Sequence, residues 1–244
     1  MIYTEDTTVM NSLYIVMPAY NEEDNIEAVI RQWYPKLEGK SEKSRLVIAD
    51  SGSKDNTHNI IMNLKENGFE KIEILTDTNQ YHGPKVIVLY KYAIKNGIDF
   101  IFQTDSDGQT NPDEFDFFWD NRMNYSGIFG NRTIRGDGKS RAFVEKIVCL
   151  LVRVFFGVKV PDANAPFRLM KTHIVEKYID RLPEDYNIPN IMITTYFEYY
   201  KETILFKEIS FKPRTAGTNS VNVGKILNIG IKAIREFIAF RRKM

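Results

Sequence analysis

Cysteine is almost missing from this 244-residue chain, with Cys149 the only one. One thiol cannot build a disulfide framework, and its apolar setting suits a reducing compartment. Histidine is scarce too: His58, His82 and His173 are too scattered for a zinc spacing and read as surface or packing residues. No stretch reaches the roughly 18 apolar residues of a membrane span, and the nearest, Ile147 to Val152, is broken at once by Arg153. Met1 to Asn11 is polar and lacks the apolar segment of a secretory leader. An excess of one charge is also lacking, since 33 Lys and Arg meet 32 Asp and Glu for a formal +1. Bulk electrostatics therefore give no reason to expect nucleic acid. Internal repeats, low-complexity tracts and linkers are absent. The expectation is a cytoplasmic protein, at most peripheral on the cytoplasmic face of a membrane.

What is present is an ordinary globular composition, 43% hydrophobic and 27% charged, long enough for one large α/β domain or two small ones. Ser12 to Met17 reads as a buried strand stopped by Pro18, and Asn21 as the cap of a helix with acids in its first turn. Ile26, Val29, Ile30 and Trp33 give that helix an apolar face. Arg45 to Ala49 is a second strand, followed by a polar turn and a helix with Gly68 at its end. Lys71 to Leu75 is a third strand, and a helix over Val86 to Asn96 leads into a fourth, Ile98 to Phe102. Strands alternating with helices imply a mostly parallel, doubly wound sheet. Further on, Asn124 to Phe129 leads into Gly130-Asn131-Arg132. Phe143 to Val158 reads as a helix with a broad apolar face, Leu169-Met170 as a short strand, Ile191 to Tyr200 as a helix and Ile204 to Phe211 as a strand. In the tail, Val223 to Met244, apolar residues alternate with six bases against one acid, Glu236. That is a basic amphipathic helix, able to lie in an anionic membrane interface or to dock on the protein itself.

The chemistry concentrates just past the fourth strand, in Asp105-Ser106-Asp107 with Gln109 beyond. Two carboxylates one residue apart can turn toward a single hard cation. Mg²⁺ held this way completes its shell with water and phosphate oxygens. The loop is no EF-hand, because the positions for Gly and Glu hold Thr110 and Asp116. Asn111-Pro112-Asp113-Glu114 is explained as a helix start, but that does not explain the carboxylate spacing. Two further loops, Pro18 to Glu22 and Asp50 to Ser53, end other strands on the same edge. Open α/β sheets bind ligands along that edge.

Five motifs occur in order: MPAYNEE (17–23), ADSGSKDNT (49–57), QTDSDGQ (103–109), GNR (130–132) and DANAPFR (162–168). Together they resemble the family 2 glycosyltransferases of GT-A fold, and most closely their polyprenyl-phosphate, dolichol-phosphate mannosyltransferase-like branch. The resemblance covers about residues 12–217 and implies a GT-A Rossmann-like, mostly parallel sheet with helices on both faces. The C-terminal basic helix is an addition to it. The implied division is a catalytic domain over 1–217 and a helical tail over 218–244. The resemblance further implies a nucleotide-diphosphate sugar donor, its nucleoside held by Pro18, Tyr20, Glu22 and Asp50, with Ser106 between the metal carboxylates and Arg214 at the diphosphate. Asp105, Asp107 and Gln109 would place Mg²⁺ or Mn²⁺ there. Arg132 and Arg141 would meet an acceptor phosphate, and Asp107, Arg132 and Asp162 would form the catalytic set.

The residue types suit that chemistry. Charge grows on the departing diphosphate, and a metal and arginines stabilise it. A phosphate acceptor is already an anion and needs no general base; a hydroxyl acceptor needs one, for which Asp162 is the candidate. Four positions depart from the branch: Ser51 where a second Asp is usual, Glu145 for a serine, Asn219-Ser220 for Ser-Lys, and Thr194 for an acid. Three of these concern the acceptor, so the resemblance speaks more firmly for the donor. The expected function is metal-dependent inverting transfer to a polyprenyl phosphate at a membrane surface, with a possible membrane-protein partner. The alternatives are transfer to a hydroxyl on a cell-surface glycan, and a non-catalytic nucleotide-sugar scaffold. Intact carboxylates argue against the last.

Overall fold

The computed structural model describes residues 10–136, 138–213 and 234–242. Seven strands form one sheet in the order β3-β2-β1-β4-β6-β5-β7. β1 (Leu13–Ala19), β2 (Arg45–Asp50), β3 (Ile72–Leu75) and β4 (Phe100–Thr104) pair in parallel. β6 (Phe167–Lys171) runs antiparallel to β4 and to β5 (Gly127–Arg135), and β7 (Ile204–Phe211) is parallel to β5. The sheet is thus mostly parallel with one reversed strand, as expected. From β1 the chain steps outward through β2 and β3, then returns to the other side of β1 as β4. The carboxyl ends of β1 and β4 therefore flank the topological switch point, where such sheets open a crevice.

Every residue of β1 and β4 is buried, as a central strand covered on both faces requires. The two-residue period divides β1 between two cores. Leu13, Ile15 and Met17 join Phe102, Phe115 and Trp33 beneath α1 (Ile26–Trp33), α2 (Thr57–Glu66) and α4 (Phe115–Asp120). Tyr14 and Val16 face α3 (His82–Lys95), α6 (Thr172–Ile179) and α7 (Pro189–Tyr199) on the other side. Phe102 lies 4.8–5.2 Å, ring to ring, from Trp33, Phe115 and Phe167. Truncating it to alanine removes a packing centre worth about 3–5 kcal/mol. The remaining long helix is α5 (Lys139–Phe156), ended by Gly157 in the left-handed region at φ +75°. Residues 234–241 form a C-terminal helix. Arg214, the expected boundary at 217/218 and the first part of the basic tail lie outside the described residues.

Several boundaries differ from expectation for identifiable reasons. β1 runs through Pro18, because its pairing to β4 stops at Val16 and no ladder bond on that side is lost. Asn21 is not a helix cap: it sits at φ +53°, and α1 begins four residues later than that role requires, after Asn25. α3 starts at His82 rather than Val86. Gly83-Pro84 looks like a break, but proline is tolerated in a helix's first turn. Gly83 is needed there since a Cβ would stand 2.3 Å from the Tyr186 carbonyl oxygen. Gly130-Asn131-Arg132 lies within β5 rather than after it, and α5 begins before Phe143.

Candidate active site

A cleft of about 400 Å³ opens at the switch point. Its floor is built by three loops fastened by hydroxyls, an amide and one buried ammonium. Ser106 Oγ donates to the Pro18 carbonyl at 2.9 Å, tying the β4 loop to β1. Asn21 ties β1 to the β2 loop: its N–H donates to Ser53 Oγ at 3.0 Å and its Oδ1 accepts from Lys54 N–H at 2.8 Å. Lys85, from the first turn of α3, is 1% exposed. Its ammonium donates to the carbonyls of Ala19 and of Ser51 and lies 5.3 Å from the Tyr20 ring centroid. Burial pushes its pKa down from 10.5 to about 8, with Asp50 pulling the other way.

Ser106 is turned inward by its bond to Pro18, so its neighbours Asp105 and Asp107 face the cleft. Gly108 lets the loop turn there at φ +73°. Asp107 Oδ1 accepts from Gln109 N–H at 3.1 Å. Gln109 is fastened to the end of β7, donating from Nε2 to the Lys212 carbonyl at 2.8 Å. Asp105 Oδ1 lies 3.1 Å from His82 Nε2. Desolvation opposes protonation of that imidazole, but the hydrogen bond and charge of Asp105, with Asp107 beyond, raise its pKa overall. Among the described residues, no three His, Cys, Asp or Glu side chains form a cage for a cation. The pair Asp105 and Asp107 fits a Mg²⁺ or Mn²⁺ ion that takes its other ligands from water and a diphosphate.

The opposite wall is charged and largely self-satisfied. Arg132 grips Asp162 in bidentate fashion, Nε to Oδ2 at 2.7 Å and Nη2 to Oδ1 at 2.9 Å, and Nη2 also reaches Glu145 Oε2 at 3.2 Å. Side-chain exposures of 7%, 3% and 12% for Arg132, Asp162 and Glu145 mean this triad works in low dielectric. Burial tends to raise the Asp162 pKa, but its bonds to Arg132 outweigh that and lower it. Glu145 is raised, by burial and then by the charge of Asp162. Asp162 also accepts from Asn164 N–H and Glu145 from Ala163 N–H, so the pair anchors the loop before β6. Burial and Glu145 push the Cys149 thiol up to about 12, which keeps it inert. Arg141 enters the cleft from the first turn of α5. Arg168, fully buried, is met by the Ala165 and Asn190 carbonyls and the Thr194 hydroxyl.

Of the residues singled out in sequence, Pro18, Tyr20, Glu22, Asp105, Ser106, Asp107, Gln109, Arg132 and Arg141 line this one cleft. Asp50 and Asp162 do not line it. Asp50 is 3% exposed, behind Ser53 (Oγ to Oδ1, 2.5 Å) and His58 (Nδ1 to Oδ2, 3.2 Å). Asp162 is turned into the wall by Arg132. Three residues were passed over in sequence. Lys85 is hidden by a helix start expected four residues later, and His58 and His82 read in sequence as surface or packing residues. A proline read as a first-turn residue would have placed His82 and Lys85 at the start of α3.

The model of glycosyl transferase family 2 matches residues 14–179, and the chain belongs to that family. A glycosyltransferase of Synechocystis sp. is 25% identical over 92% of this chain and 69% of its own length. Undecaprenyl-phosphate 4-deoxy-4-formamido-L-arabinose transferases of Photorhabdus laumondii and Shewanella sediminis are 23% and 26% identical, over 88% and 68% of this chain. The chain spans 64% and 50% of the length of those two. Among solved structures, glucosyl-3-phosphoglycerate synthase from Mycobacterium tuberculosis, in complex with Mn²⁺, UDP-glucose and glycerol 3-phosphate, superposes with a TM-score of 0.66. That match covers 95% of this chain and 80% of the other at 16% identity, and it shows the fold, GT-A. Among the described residues no helix is long and apolar enough to cross a membrane.

Proposed function

We propose that this family 2 glycosyltransferase moves a sugar, with inversion, from a nucleotide-diphosphate sugar to a polyprenyl phosphate at a membrane surface. Tyr20, at the rim, would stack on the nucleoside, with Pro18 and Glu22 beneath it, while Asp50 would act from behind by holding its loop. Asp105 and Asp107 would hold Mg²⁺ or Mn²⁺, with Gln109 fixing their loop. When bound, that ion supplies the positive charge that stabilises the leaving diphosphate. Arg214 stays in the proposal as a diphosphate contact. Arg141 would orient the acceptor phosphate, and Arg132 would keep its wall and lend the acceptor its remaining field.

The observation that carries this reading is the shared cleft: two carboxylates from the β4 loop face two arginines, one from β5 and one from α5. Supporting it, two relatives are undecaprenyl-phosphate transferases and a structural neighbour was solved with Mn²⁺ and UDP-glucose. The engagement of Asp162 by Arg132 removes the candidate general base, which favours an acceptor that arrives ionised.

One observation favours the hydroxyl-acceptor alternative, namely the two carboxylates that already neutralise Arg132. The test is nucleoside diphosphate release from a panel of nucleotide sugars, with Mn²⁺, Mg²⁺ or chelator, with and without a short polyprenyl phosphate in detergent. Metal-dependent release of one nucleoside diphosphate, stimulated by the lipid, is the expected result. Release indifferent to the lipid would move the acceptor to a hydroxyl. Nucleotide binding without release would leave only a scaffold.

A further inference from the structure

Helix α5 has two apolar faces, and the fold covers one. Val152 and Phe156 are buried in the core. On the opposite side Phe143, Ile147, Leu150 and Val154 are 64%, 40%, 58% and 68% exposed. Their spacing of four, three and four residues makes a single stripe along the helix. The C-terminal helix packs against the end of α5, with Phe237 5.3 Å from Phe156, ring to ring, and presents Ile234 and Ile238 outward. Among the described residues, the exposed charges that these two helices themselves carry are cations: Lys146 and Arg153 on α5, and Arg235, Arg241 and the adjoining Arg242 at the C-terminal helix. Glu145, the acid within α5, is turned inward to Arg132. Glu236 is half-buried.

We propose that this surface docks on an anionic lipid bilayer, with the stripe of α5 set into the interface and the flanking cations against lipid phosphates. Charge decides among the occupants. A second copy, meeting the same patch across a twofold axis, would bring cations onto cations. Residues 214–233 carry Arg214, Lys225 and Lys232 and no acid, so that segment offers the cationic rim no complement. An anionic bilayer complements both the apolar stripe and its rim. The position extends the proposed function and rests on it for its purpose. Arg141, in the first turn of the same helix, lines the cleft, so a lipid phosphate could reach the site while its chain remains in the bilayer.

The experiment is co-sedimentation of the full chain with vesicles of phosphatidylcholine alone and with added phosphatidylglycerol, at low and high salt. The expected result is salt-sensitive binding to the anionic vesicles, reduced about tenfold or more by Leu150→Glu with Val154→Glu, and several-fold by Lys146→Glu with Arg153→Glu. Both pairs are exposed and outside the cleft, so donor hydrolysis and thermal midpoint should stay at wild-type values. Absence of binding to anionic vesicles, equal binding by the apolar double variant, or a dimer that this variant dissolves would overturn the proposal. Transfer to a short polyprenyl phosphate in detergent is read in parallel. Docking lost with transfer intact would leave the functional reading standing, and docking intact without transfer would remove the lipid-phosphate acceptor alone.

Discussion

The two walls of the cleft are built by opposite means. On the proposed donor side, β1, β2 and β4 are fastened by hydroxyls, an amide and one buried ammonium: Ser106 to Pro18, Asn21 to Ser53 and Lys54, Lys85 to the Ala19 and Ser51 carbonyls. None of these bonds uses the carboxylates of Asp105 and Asp107, which line the cleft. On the proposed acceptor side the fastening is an ion-pair cluster, with Arg132 held between Asp162 and Glu145. A buried ion pair of this kind contributes little net stability but is costly to break on one side. The difference shows that an arginine in a family motif can be chiefly a wall-builder, whereas the carboxylate motif across from it lines the open cleft.

The sharpest way to break this contrast lies on the donor side. Asp107→Asn keeps the shape and the acceptor for Gln109 N–H but removes the charge, and should lower nucleoside diphosphate release about 10³-fold. An unchanged thermal midpoint would show that the fold is intact, and retained turnover would take the carboxylate pair out of the chemistry. Next in size is Arg168→Met on the acceptor side. It removes the guanidinium donors from the Ala165 carbonyl and from the Asn190 carbonyl, which keeps the Thr194 hydroxyl, and should cost about 3 kcal/mol of stability in denaturant unfolding. A loss of activity with no loss of stability would instead make Arg168 a ligand-binding group.

Glu145→Gln should sharpen the comparison. With one carboxylate fewer on Arg132, KM for an acceptor phosphate should fall several-fold, about 1 kcal/mol, while KM for the donor stays unchanged. Equal movement of both constants would show that the two walls do not act separately. The smallest effect concerns Lys85. Its folded pKa of about 8 lies below the unfolded 10.5, so the unfolded chain binds more protons between those values. Stability from this group therefore rises as pH increases through that window, by an amount on the order of 1 kcal/mol. Thermal midpoints of wild type and Lys85→Met compared from pH 8 to 10 should differ in slope, the variant lacking the rise.

The same contrast governs what the sequence disclosed. Donor-side motifs are short, contiguous and placed by strand ends, so Asp105, Asp107, Tyr20 and Glu22 could be located from strand periodicity and the sheet's edge rule. Burial was less legible: nothing in Asp50 or Asp162 announces that a hydroxyl or a distant arginine will turn it from the cleft. Lys85 escaped because Gly83-Pro84 resembles a loop, and His82 because an isolated histidine reads as a surface or packing residue; only Tyr186, more than a hundred residues away, explains the glycine. On the proposed acceptor side the substitution of Glu145 for a serine was visible, but Glu145 lies on α5 and its partner Arg132 on strand β5. The apolar residues of α5 were read correctly as a broad face. Which half of that face is buried depends on packing against α7 and the C-terminal helix, and periodicity does not encode it.

The central claim is that the acceptor oxygen arrives already charged, at a cleft whose candidate base is locked to Arg132. It is tested most directly by giving the enzyme, with saturating donor and Mn²⁺, matched short polyprenyl phosphate and polyprenol in detergent, and following glycolipid formation and its anomeric configuration. Product from the phosphate alone, with the anomeric configuration inverted relative to the donor, is the predicted result. Product from polyprenol at a comparable rate, or retention of configuration, would contradict it.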